Sequence, residues 1–475
     1  MLLRRLYDSS LAQASYLLGC QATGEALVID PNRDIEQYER VAREEGLRIT
    51  AVTETHIHAD FVSGSRELAA STGARLLLSG EGGRDWQYAF IEPDRATLLH
   101  DGTTFMVGNL RLDVLHTPGH TPEHLSFLVT DTPATDRPFG LFTGDFIFVG
   151  DVGRPDLLER AAGAAGTMEP SARALFQSLR QTASLPDYVQ IFPGHGAGSA
   201  CGKALGAVPS TTLGYERIAN WAFNIADEDA FVRAVLAGQP EAPAYFAEMK
   251  RINRDGPPPR GTNGCGAQLP RKRLMELIPG PTILVDVRPA AAFAEGHVPG
   301  ALNIPHNSSF SRWAGALLPY DTDFVLVATG EDDARAASRA LSMIGLDRCQ
   351  GYLDSAALAG MNTSSVVQVG ATELHDMMRR AEIQVVDVRD RAEWESGHLP
   401  GVPNIPLAHL AEGATVIPLD RPIAVHCQSG GRSAIAASVL AARGFQDVRN
   451  LSGGIVAWRA AELPTEHRSA VTTNG

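Results

Sequence analysis

The strongest constraint on the fold of this chain is a long internal repeat in its second half. The segment TILVDVRPAAAFAEGHVPGALNIP (282–305) recurs as IQVVDVRDRAEWESGHLPGVPNIP (383–406), with equivalent residues 101 positions apart. This period equals one domain length and is too long for a solenoid unit. The repeat therefore predicts two tandem domains of the same fold.

Each copy of the repeat alternates strands with helices in the same order. An apolar strand ends in Asp-Val-Arg, and a short acidic helix and the pattern Gly-His-x-Pro-Gly-x-x-Asn-Ile-Pro follow it. A further strand, DFVLVAT or PIAVHC, leads into an Ala-rich helix. This alternation predicts a parallel sheet with helices on both faces.

Gly-rich and Pro-rich stretches mark the domain boundaries. The segment RDGPPPRGTNGCGAQLP predicts a linker, and LAGMNTSSVV (358–367) a second boundary. Before the linker, short strands alternate with turns, and residues 215–251 have a helical pattern that predicts a closing layer. The predicted organisation is a first domain at 1–253, a linker at 254–270, a first copy at 271–360 and a second copy at 366–468.

Composition and charge exclude several classes of function. A chain of 475 residues with 44% hydrophobic and 20% charged residues is typical of a soluble protein of about three domains. Its net charge of −14, without any Lys/Arg-rich block, offers no basic surface for nucleic acid. No run of 18 apolar residues predicts a membrane span. We therefore expect a small-molecule substrate.

The N-terminus and the cysteines favour a cytoplasmic protein. Polar residues interrupt MLLRRLYDSSLAQASYLLGC, which predicts two strands, 2–7 and 14–19, better than a signal peptide. The cysteines lie far apart and form neither a disulfide framework nor a zinc-ribbon spacing, which favours a reducing compartment. They are Cys20, Cys201, Cys265, Cys349 and Cys427.

Four positions in the first domain carry metal-ligating side chains directly after strands. His56 begins HIHAD, His120 lies in HTPGHTPEH, Asp145 ends FGLFTGD and His195 ends YVQIFPGH. Side chains at the C-terminal ends of strands converge on one edge of a sheet. Imidazoles and a carboxylate with an open position suit Zn, Fe or Mn.

This ordered set of motifs resembles the metallo-β-lactamase superfamily over about residues 1–250, which implies an αββα sandwich. In its two-metal members, the first metal takes the H-x-H pair and the T-P-G-H histidine. The second metal takes the Asp of H-x-D, the histidine after it and the P-G-H histidine, and the T-G-D aspartate bridges the two metals. Phe61 replaces the histidine after Asp60 in this chain, so we expect a single metal.

With one metal, the resemblance narrows to the persulfide dioxygenases of this superfamily. Their iron ligands fall on His56, His120 and Asp145, two imidazoles and a carboxylate of the kind that holds non-heme Fe(II). The resemblance implies one Fe(II) per chain, and Cys201, in PGHGAGSACGKALG beside Lys203, is a candidate catalytic thiol. The residues expected to support the ligands are His58, Asp60, His195, Arg154 and Asp156.

The second copy contains a cysteine loop, defined here as residues 427–432. Cys427 begins it, its glycines let backbone N–H groups point inward as an anion nest, and Arg432 adds a positive charge. The loop should therefore stabilise a thiolate or a persulfide anion. Its other expected sulfur-binding residues are Gln428, Ser429, Gly430, Gly431 and, at the start of the helix, Ser433.

The D-V-R, G-H-x-P-G and C-x-x-x-x-R motifs resemble the rhodanese family of sulfurtransferases over about residues 370–463. The spacing from Cys427 to Arg432 matches the sulfur-transferring members, since related phosphatases have a loop one residue longer. The first copy reads VATGEDDARAASRAL instead, with Thr329 about where the cysteine would stand and three carboxylates after it. We expect an inactive rhodanese that acts as a spacer or docking surface.

Together the resemblances cover nearly the whole chain and indicate an α/β multidomain protein similar to the bacterial persulfide dioxygenase–sulfurtransferases. The implied substrates are a low-molecular-weight thiol persulfide (RSSH) and O2, which give sulfite and RSH. Cys427 would pass a sulfane sulfur to sulfite and form thiosulfate, a route of sulfide detoxification. Partners are expected to be these small molecules, with no nucleic acid or membrane; the thiol carrier and homo-oligomer formation stay open.

Three alternatives stay open at this point. A glyoxalase-II-like thioester hydrolase fused to a sulfurtransferase shares the fold and most ligands, but Phe61 counts against its two-metal site. The sulfurtransferase could instead run in reverse and cleave thiosulfate. A non-enzymatic sulfur-carrier or interaction protein is the third, and the complete metal triad and Cys427 loop count against it.

Overall fold

The computed structural model describes residues 1–157, 159, 166–199, 201–203, 205–239, 241–243, 245–260, 267–277 and 280–467. Cys265 within the predicted linker, and residue 468 at the predicted end of the second copy, lie outside these ranges. The chain divides into two compact units, Met1–Thr262 with Ser342–Gly345, and Asn263–Leu341 with Leu346–Gly475. Among the described helices, none has both the length and the apolar character that a membrane crossing requires.

The first unit contains two six-stranded mixed sheets. The first sheet has its strands in chain order: β1 Leu2–Asp8, β2 Gln13–Cys20, β3 Glu25–Ile29, β4 Arg48–Thr53, β5 Arg75–Ser79 and β6 Thr97–Leu99. The second sheet has the order β12-β11-β10-β9-β8-β7, with β7 Thr104–Val107, β8 Leu110–His116, β9 Leu125–Asp131, β10 Gly140–Gly144, β11 Gln190–Pro193 and β12 Thr211–Thr212.

The core of this unit lies between the two sheets. Apolar side chains of the first sheet, such as Tyr16 and Leu27, belong to the same buried cluster as Phe127 and Phe142 of the second. Strands β2 and β10 are buried along their whole length, which requires cover on both faces. Helices supply that cover through two further buried clusters, and the result is the αββα sandwich that the motifs imply.

The helices of the first unit follow the sequence pattern, including the closing layer predicted at 215–251. The α-helices are α1 Ile35–Glu44, α2 Ser65–Thr72, α3 Ile91–Asp94, α4 Met168–Gln181, α5 Leu213–Ala219, α6 Glu228–Leu236 and α7 Phe246–Asp255. Short 3₁₀ helices are Arg84–Trp86, Thr182–Ser184 and Trp221–Asn224.

The second unit contains two four-stranded sheets, one in each copy of the repeat, and all their pairings are parallel, as predicted. In the first copy the order is β14-β13-β15-β16, with β13 Ile283–Asp286, β14 Leu302–Asn303, β15 Phe324–Ala328 and β16 Cys349–Asp354. In the second copy it is β17-β20-β19-β18, with β17 Val367–Val369, β18 Gln384–Asp387, β19 Ile423–His426 and β20 Val448–Leu451.

Helices cover these sheets at the places that the repeat predicts. The α-helices are α8 Arg271–Leu277, α9 Ala290–Glu295, α10 Phe310–Leu317, α11 Glu331–Met343, α12 Ala371–Arg379, α13 Arg391–Glu395, α14 Leu410–Gly413, α15 Gly431–Ala442 and α16 Gly454–Ala460. The 3₁₀ helices are Ser355–Leu358, Leu407–His409 and Ala414–Val416.

Strand register corrects one detail of the repeat alignment. In the second copy Asp387 pairs with His426, the residue before Cys427. In the first copy the equivalent Asp286 pairs with Val327, so Ala328 stands at the position of the cysteine. The expectation that Thr329 occupies this place was wrong by one residue, because a sequence repeat does not reveal a length change between two strands.

The cysteines also differ in state. Cys20, Cys201 and Cys427 are free thiols in buried positions, whereas Cys349 is disulfide-bonded. The disulfide corrects the expectation of reduced thiols at this residue. Spacing along the chain carries little information about which sulfur atoms folding brings together.

Candidate metal centre and cysteine loop

Strand direction brings the predicted ligands of the first unit to one end of the sandwich. Strands β8 and β10 are both antiparallel to β9, and β11 is parallel to β10, so these three run in the same direction. His120 follows β8, Asp145 follows β10 and His195 follows β11. The loop after β4 in the other sheet contributes His56.

The structure brings His56, His120 and Asp145 together as a buried triad. One ligand atom of each lies within 4.8 Å of the other two, and His120 Nε2 is 3.5 Å from Asp145 Oδ2. His56 Nε2 and both carboxylate oxygens of Asp145 are buried without a hydrogen-bond partner. Buried polar atoms without partners destabilise a fold, and a cation held between these atoms would remove that penalty. The residues therefore fit a metal ion.

Hydrogen bonds behind the triad orient both imidazoles with Nε2 toward the centre. His120 Nδ1 donates to the carbonyl of Arg154 at 3.1 Å. Thr55 donates its hydroxyl hydrogen to Asp30 at 2.9 Å, so His56 Nδ1 must donate to Thr55 Oγ1 at 3.0 Å. Each Nε2 then carries the lone pair that a metal requires.

The Arg154–Asp156 pair lies directly behind His120. Both side chains are fully buried, and Arg154 Nη2 is 2.8 Å from Asp156 Oδ2. The pair lies on the same loop as the carbonyl that accepts the His120 hydrogen bond. The pair therefore lies where it can support a ligand, and its role in doing so stays a prediction.

His58, the second histidine of H-x-H, is not part of the triad, although its ring lies 4.2 Å from that of His56. Its Nε2 lies 3.2 Å from Asp30 Oδ1, and its ring is 4.4 Å from that of Phe61. Burial alone lowers the pKa of His58, but the carboxylates of Asp30, Glu54 and Asp60 outweigh it and raise the pKa to about 9. An imidazolium paired with Asp30 agrees with the expected supporting role.

A second group of ligand-type atoms lies beside the triad and consists of Asp60, His195 and Cys201. His195 Nε2 is 3.2 Å from Asp60 Oδ2 and 3.4 Å from Asp145 Oδ1, while Nδ1 donates to the carbonyl of Ala12. Burial, followed by the charges of Asp145 and Asp60, raises the pKa of the Cys201 thiol well above its ordinary value. This environment favours the neutral thiol, and the catalytic role of Cys201 stays a prediction.

Two residues that sequence analysis missed hold the H-x-H-x-D loop in place. Asp30, at the end of β3, accepts from the backbone N–H of Thr55 as well as from its hydroxyl. Asn253 of α7 donates to the carbonyls of His58 and Phe61, each at 2.7 Å, and accepts from Ser63 N–H at 2.9 Å. The position of Asp30 directly after a strand was a usable signal, whereas nothing in the sequence around Asn253 indicates this contact.

The cysteine loop of the second unit surrounds a buried sulfur. Cys427 is 1% exposed, and its Sγ accepts hydrogen bonds from Gly430 N–H at 3.1 Å and Ser433 Oγ at 3.4 Å. Gly430 and Ser433 thus reach the sulfur as predicted. Gln428 instead uses its carbonyl to accept from Val456 N–H, while Ser429 and Gly431 are exposed.

Residues at the start of α16 contact the backbone of this loop. Ile455 N–H donates to the carbonyl of Cys427 at 2.9 Å. Gly454 has a φ of +58°, and a Cβ there would lie 2.5 Å from the same carbonyl oxygen. Only glycine allows this close approach.

Arg432, the positive charge expected in the loop, is also bound by carboxylates of the second copy. Its Nη1 and Nη2 bind the two carboxylate oxygens of Glu393 at 2.6 and 2.8 Å, and Nη1 lies 3.7 Å from Asp390. The positive charge of Arg432 is therefore shared with carboxylates of the second copy and is not devoted to the sulfur. The sequence motif gave no sign of Glu393, which lies 39 residues earlier.

Comparisons with known proteins agree with both sites. The metallo-β-lactamase superfamily model matches residues 10–195, and the rhodanese-like domain model matches 271–360 and 370–461. A hydroxyacylglutathione hydrolase of Nitrosococcus oceani is 35% identical over 199 residues, 41% of this chain and 66% of that protein. Persulfide dioxygenase ETHE1 of Bos taurus is 28% identical over 200 residues, 41% of this chain and 68% of that protein.

The chain thus spans about two thirds of the length of these curated relatives. A longer match is the crystal structure of a metallo-β-lactamase from Staphylococcus aureus subsp. aureus COL. It is 44% identical with a TM-score of 0.68, and the match covers 74% of this chain and 98% of that one. The chain belongs to the metallo-β-lactamase superfamily and carries two rhodanese-like domains after the metallo-β-lactamase domain.

Proposed function

We propose that the first unit oxidises a low-molecular-weight thiol persulfide with O2 at a single Fe(II), and that Cys427 transfers sulfane sulfur to sulfite. The observation that carries the first part is the buried triad of His56, His120 and Asp145, in which His56 Nε2 and both Asp145 oxygens lack a hydrogen-bond partner. The second part rests on the loop that donates two hydrogen bonds to the sulfur of Cys427.

The residues around the triad suit one metal with open positions. His58 is engaged by Asp30, and Phe61 brings a ring where a second metal would need an imidazole. A bound Fe(II) would supply the one-electron and O2 chemistry that amino-acid side chains lack. The Arg154 carbonyl and Thr55 hold His120 and His56 so that the Nε2 of each faces the site.

The overall reaction balances without a further reductant. RSSH, O2 and H2O give RSH, sulfite and two protons. The Asp60–His195 pair, 3.2 Å apart beside Asp145, is placed to hold one of these protons. In the second unit, the Cys427 thiolate attacks the outer sulfur of a persulfide and releases RSH; sulfite then takes this sulfur and leaves as thiosulfate, which regenerates the thiolate.

The decisive experiment counts the metal in anaerobically purified full-length protein and follows O2 uptake after addition of glutathione persulfide. We expect one iron per chain and persulfide-dependent O2 consumption. His120→Ala should lose both, whereas His100→Ala, the same change at an exposed histidine of the same unit, should keep both. Iron-loaded protein without O2 uptake would contradict the proposal.

A thioester hydrolase is the second candidate, and a specific observation favours it. Asp60, His195 and Cys201 form a second cluster of ligand-type atoms beside the triad. The identity of 35% with a hydroxyacylglutathione hydrolase points in the same direction. Two zinc ions per chain, with hydrolysis of S-lactoylglutathione and no O2 uptake, would replace the dioxygenase proposal with this one.

A further inference from the structure

A cavity of about 480 Å³ lies inside the second unit, between the two rhodanese-like copies. The first copy contributes Trp313, His306 and Asp333 to its wall, and the second contributes Arg432 and Ile435 from the first turns of α15. The copies are joined next to it by a buried hydrogen bond, in which Asn303 N–H of β14 donates to Ser438 Oγ of α15 at 2.9 Å. Both copies are therefore needed to form the cavity.

The wall suits an organic molecule with polar ends. Trp313, Ile435 and Pro305 offer apolar surface. The guanidinium of Arg432 and the paired side chains of His306 and Asp333, 3.4 Å apart, supply charged groups. Small-molecule sites of about 300–1,000 Å³ have this mixture of apolar wall and few polar groups. Inorganic sulfur anions would fill only a small part of it.

Two residues of the cysteine loop belong to the cavity wall. Gly431 and Arg432 line it, and they lie in sequence between Gly430 and Ser433, the two residues that hydrogen-bond Cys427 Sγ. A molecule in the cavity can therefore extend one end over the rim of the cysteine loop. Arg432 is held at this rim by its two bonds to Glu393.

We propose that this cavity binds the organic body of the thiol persulfide that charges Cys427, so that the first copy selects the sulfur donor for the second. The inference rests on the proposed sulfur transfer. The Cys427 thiolate attacks the outer sulfur of RSSH, an Sγ–S bond forms, and the S–S bond of the donor breaks; the RS⁻ released takes a proton and leaves as RSH. The first copy thereby contributes the residues that determine which sulfur donor binds.

The test fills the cavity without touching the cysteine loop. Ser309 lines the cavity, is exposed, and makes no capping hydrogen bond at the start of α10. We expect Ser309→Trp to fold and to exclude the organic donor. Its matched control is Ser308→Trp, the same change at the exposed neighbouring position outside the cavity wall.

Charging of Cys427 is measured by intact mass and by steady-state kinetics with three donors: glutathione persulfide, coenzyme A persulfide and thiosulfate. The wild-type protein first identifies which of the two organic persulfides has the lower KM. For that donor, Ser309→Trp should raise KM about tenfold or more. KM for thiosulfate should stay within about twofold, and Ser308→Trp should leave all donors unchanged.

Two results would overturn the inference. One is an unchanged KM for both organic persulfides in Ser309→Trp; the other is an equal rise for persulfide and thiosulfate, which would indicate damage to the loop. Trp313→Ala provides an independent check, since it enlarges the cavity and should weaken the same donor selectively. Failure of wild-type Cys427 to gain sulfur from any donor would instead refute the proposed sulfur transfer, before any variant is compared.

Discussion

The two rhodanese-like copies have the same internal bonds but different loops. In the first copy Arg288 binds Asp286 and the carbonyl of Gly296. In the second copy Arg389 binds Asp387 and the carbonyl of Gly397 in the same way. The arginine–aspartate distance is 2.6 Å in both copies. His297 and His398 likewise each donate a hydrogen bond from Nδ1 to the backbone carbonyl of the residue four positions earlier. The repeated motifs therefore make the same structural bonds in both copies.

The loops that follow β15 and β19, in contrast, differ between the two copies. The second copy places Cys427 there, with the N–H of Gly430 directed to its sulfur. The first copy places Ala328 there, and the carboxylate of Asp333 accepts the N–H of Thr329 at 3.1 Å. The first copy thus has a carboxylate beside the position where the second copy has a sulfur, and a negative charge there would repel an anionic sulfur. The comparison teaches that a repeat can preserve a fold while one loop loses its reaction.

The variant with the largest expected effect tests whether the second copy alone transfers sulfur. Cys427→Ser keeps the shape of the side chain but removes the nucleophile, so sulfur transfer should fall at least about a thousandfold. O2 uptake by the first unit should persist. Thiosulfate formation and O2 consumption measured on the same sample check this prediction, and Cys20→Ser, another buried free thiol, is the control.

The next prediction tests the shared structural role of the repeat. Asp286→Asn and Asp387→Asn each leave a buried arginine without its charged partner, and breaking such a pair costs about 3–5 kcal/mol. The two variants should lose similar stability of their own copy. Urea denaturation followed by tryptophan fluorescence measures both, and a clear loss in only one copy would contradict the comparison.

Gly454→Ala tests the support of the cysteine loop. Alanine at a φ of +58°, with its Cβ 2.5 Å from the Cys427 carbonyl, must displace the loop. Strain of this kind costs about 1–3 kcal/mol, and sulfur transfer should fall about tenfold. Gly444→Ala is the control, since its φ is also positive but nothing lies within 4 Å of its Cβ. Steady-state transfer rates compare the two variants.

Glu393→Gln sharpens the role of Arg432. Removal of this carboxylate leaves Asp390, at 3.7 Å, as a remaining carboxylate partner of Arg432, so more of the guanidinium charge is available to an anionic donor. Charging of Cys427 by such a donor should become about twofold to fivefold faster at low salt. The gain should shrink as ionic strength rises. Glu395→Gln, on the same short helix, is the control. A salt-independent decrease would mean that Glu393 acts only by positioning Arg432.

The smallest expected effect asks whether a cysteine alone can restore the first copy. Ala328→Cys in a Cys427→Ser background should leave transfer at background level, because the carboxylate of Asp333, bound to the N–H of Thr329, would repel an anionic sulfur on the introduced thiol. Adding Asp333→Ser should permit detectable persulfide on the introduced thiol after incubation with glutathione persulfide. Intact mass of the two variants provides the measurement.

Much of this architecture could be predicted from residue patterns. The first two strands, expected at 2–7 and 14–19, are Leu2–Asp8 and Gln13–Cys20. The ligand motifs of the first unit each follow a strand, so their convergence at one edge was expected from sheet geometry, whereas the choice of His56, His120 and Asp145 as the triad came from the family resemblance. These predictions succeed because strand periodicity and strand-end placement are local properties of the chain.

Predictions were incomplete where the outcome depends on a partner distant in sequence. The loop motif did not reveal that Glu393 binds Arg432, and the H-x-H pattern did not reveal that Asp30 engages His58. The position equivalent to Cys427 was misjudged because the strand register alone identifies Ala328. In each case the result depends on contacts with residues far away in the chain, and a local sequence pattern does not identify those residues.

Local patterns in the amino-acid sequence were sufficient for the domain order and the parallel sheets, because these depend on periodicity and on motif spacing; the candidate ligand set and the candidate nucleophile Cys427 came from motifs together with the family resemblance. The folded arrangement was required for the hydrogen bonds that aim each imidazole, the charge balance of Arg432 and the cavity formed by both copies. Those features depend on distances between residues far apart in the chain, and only packing of the complete units sets such distances.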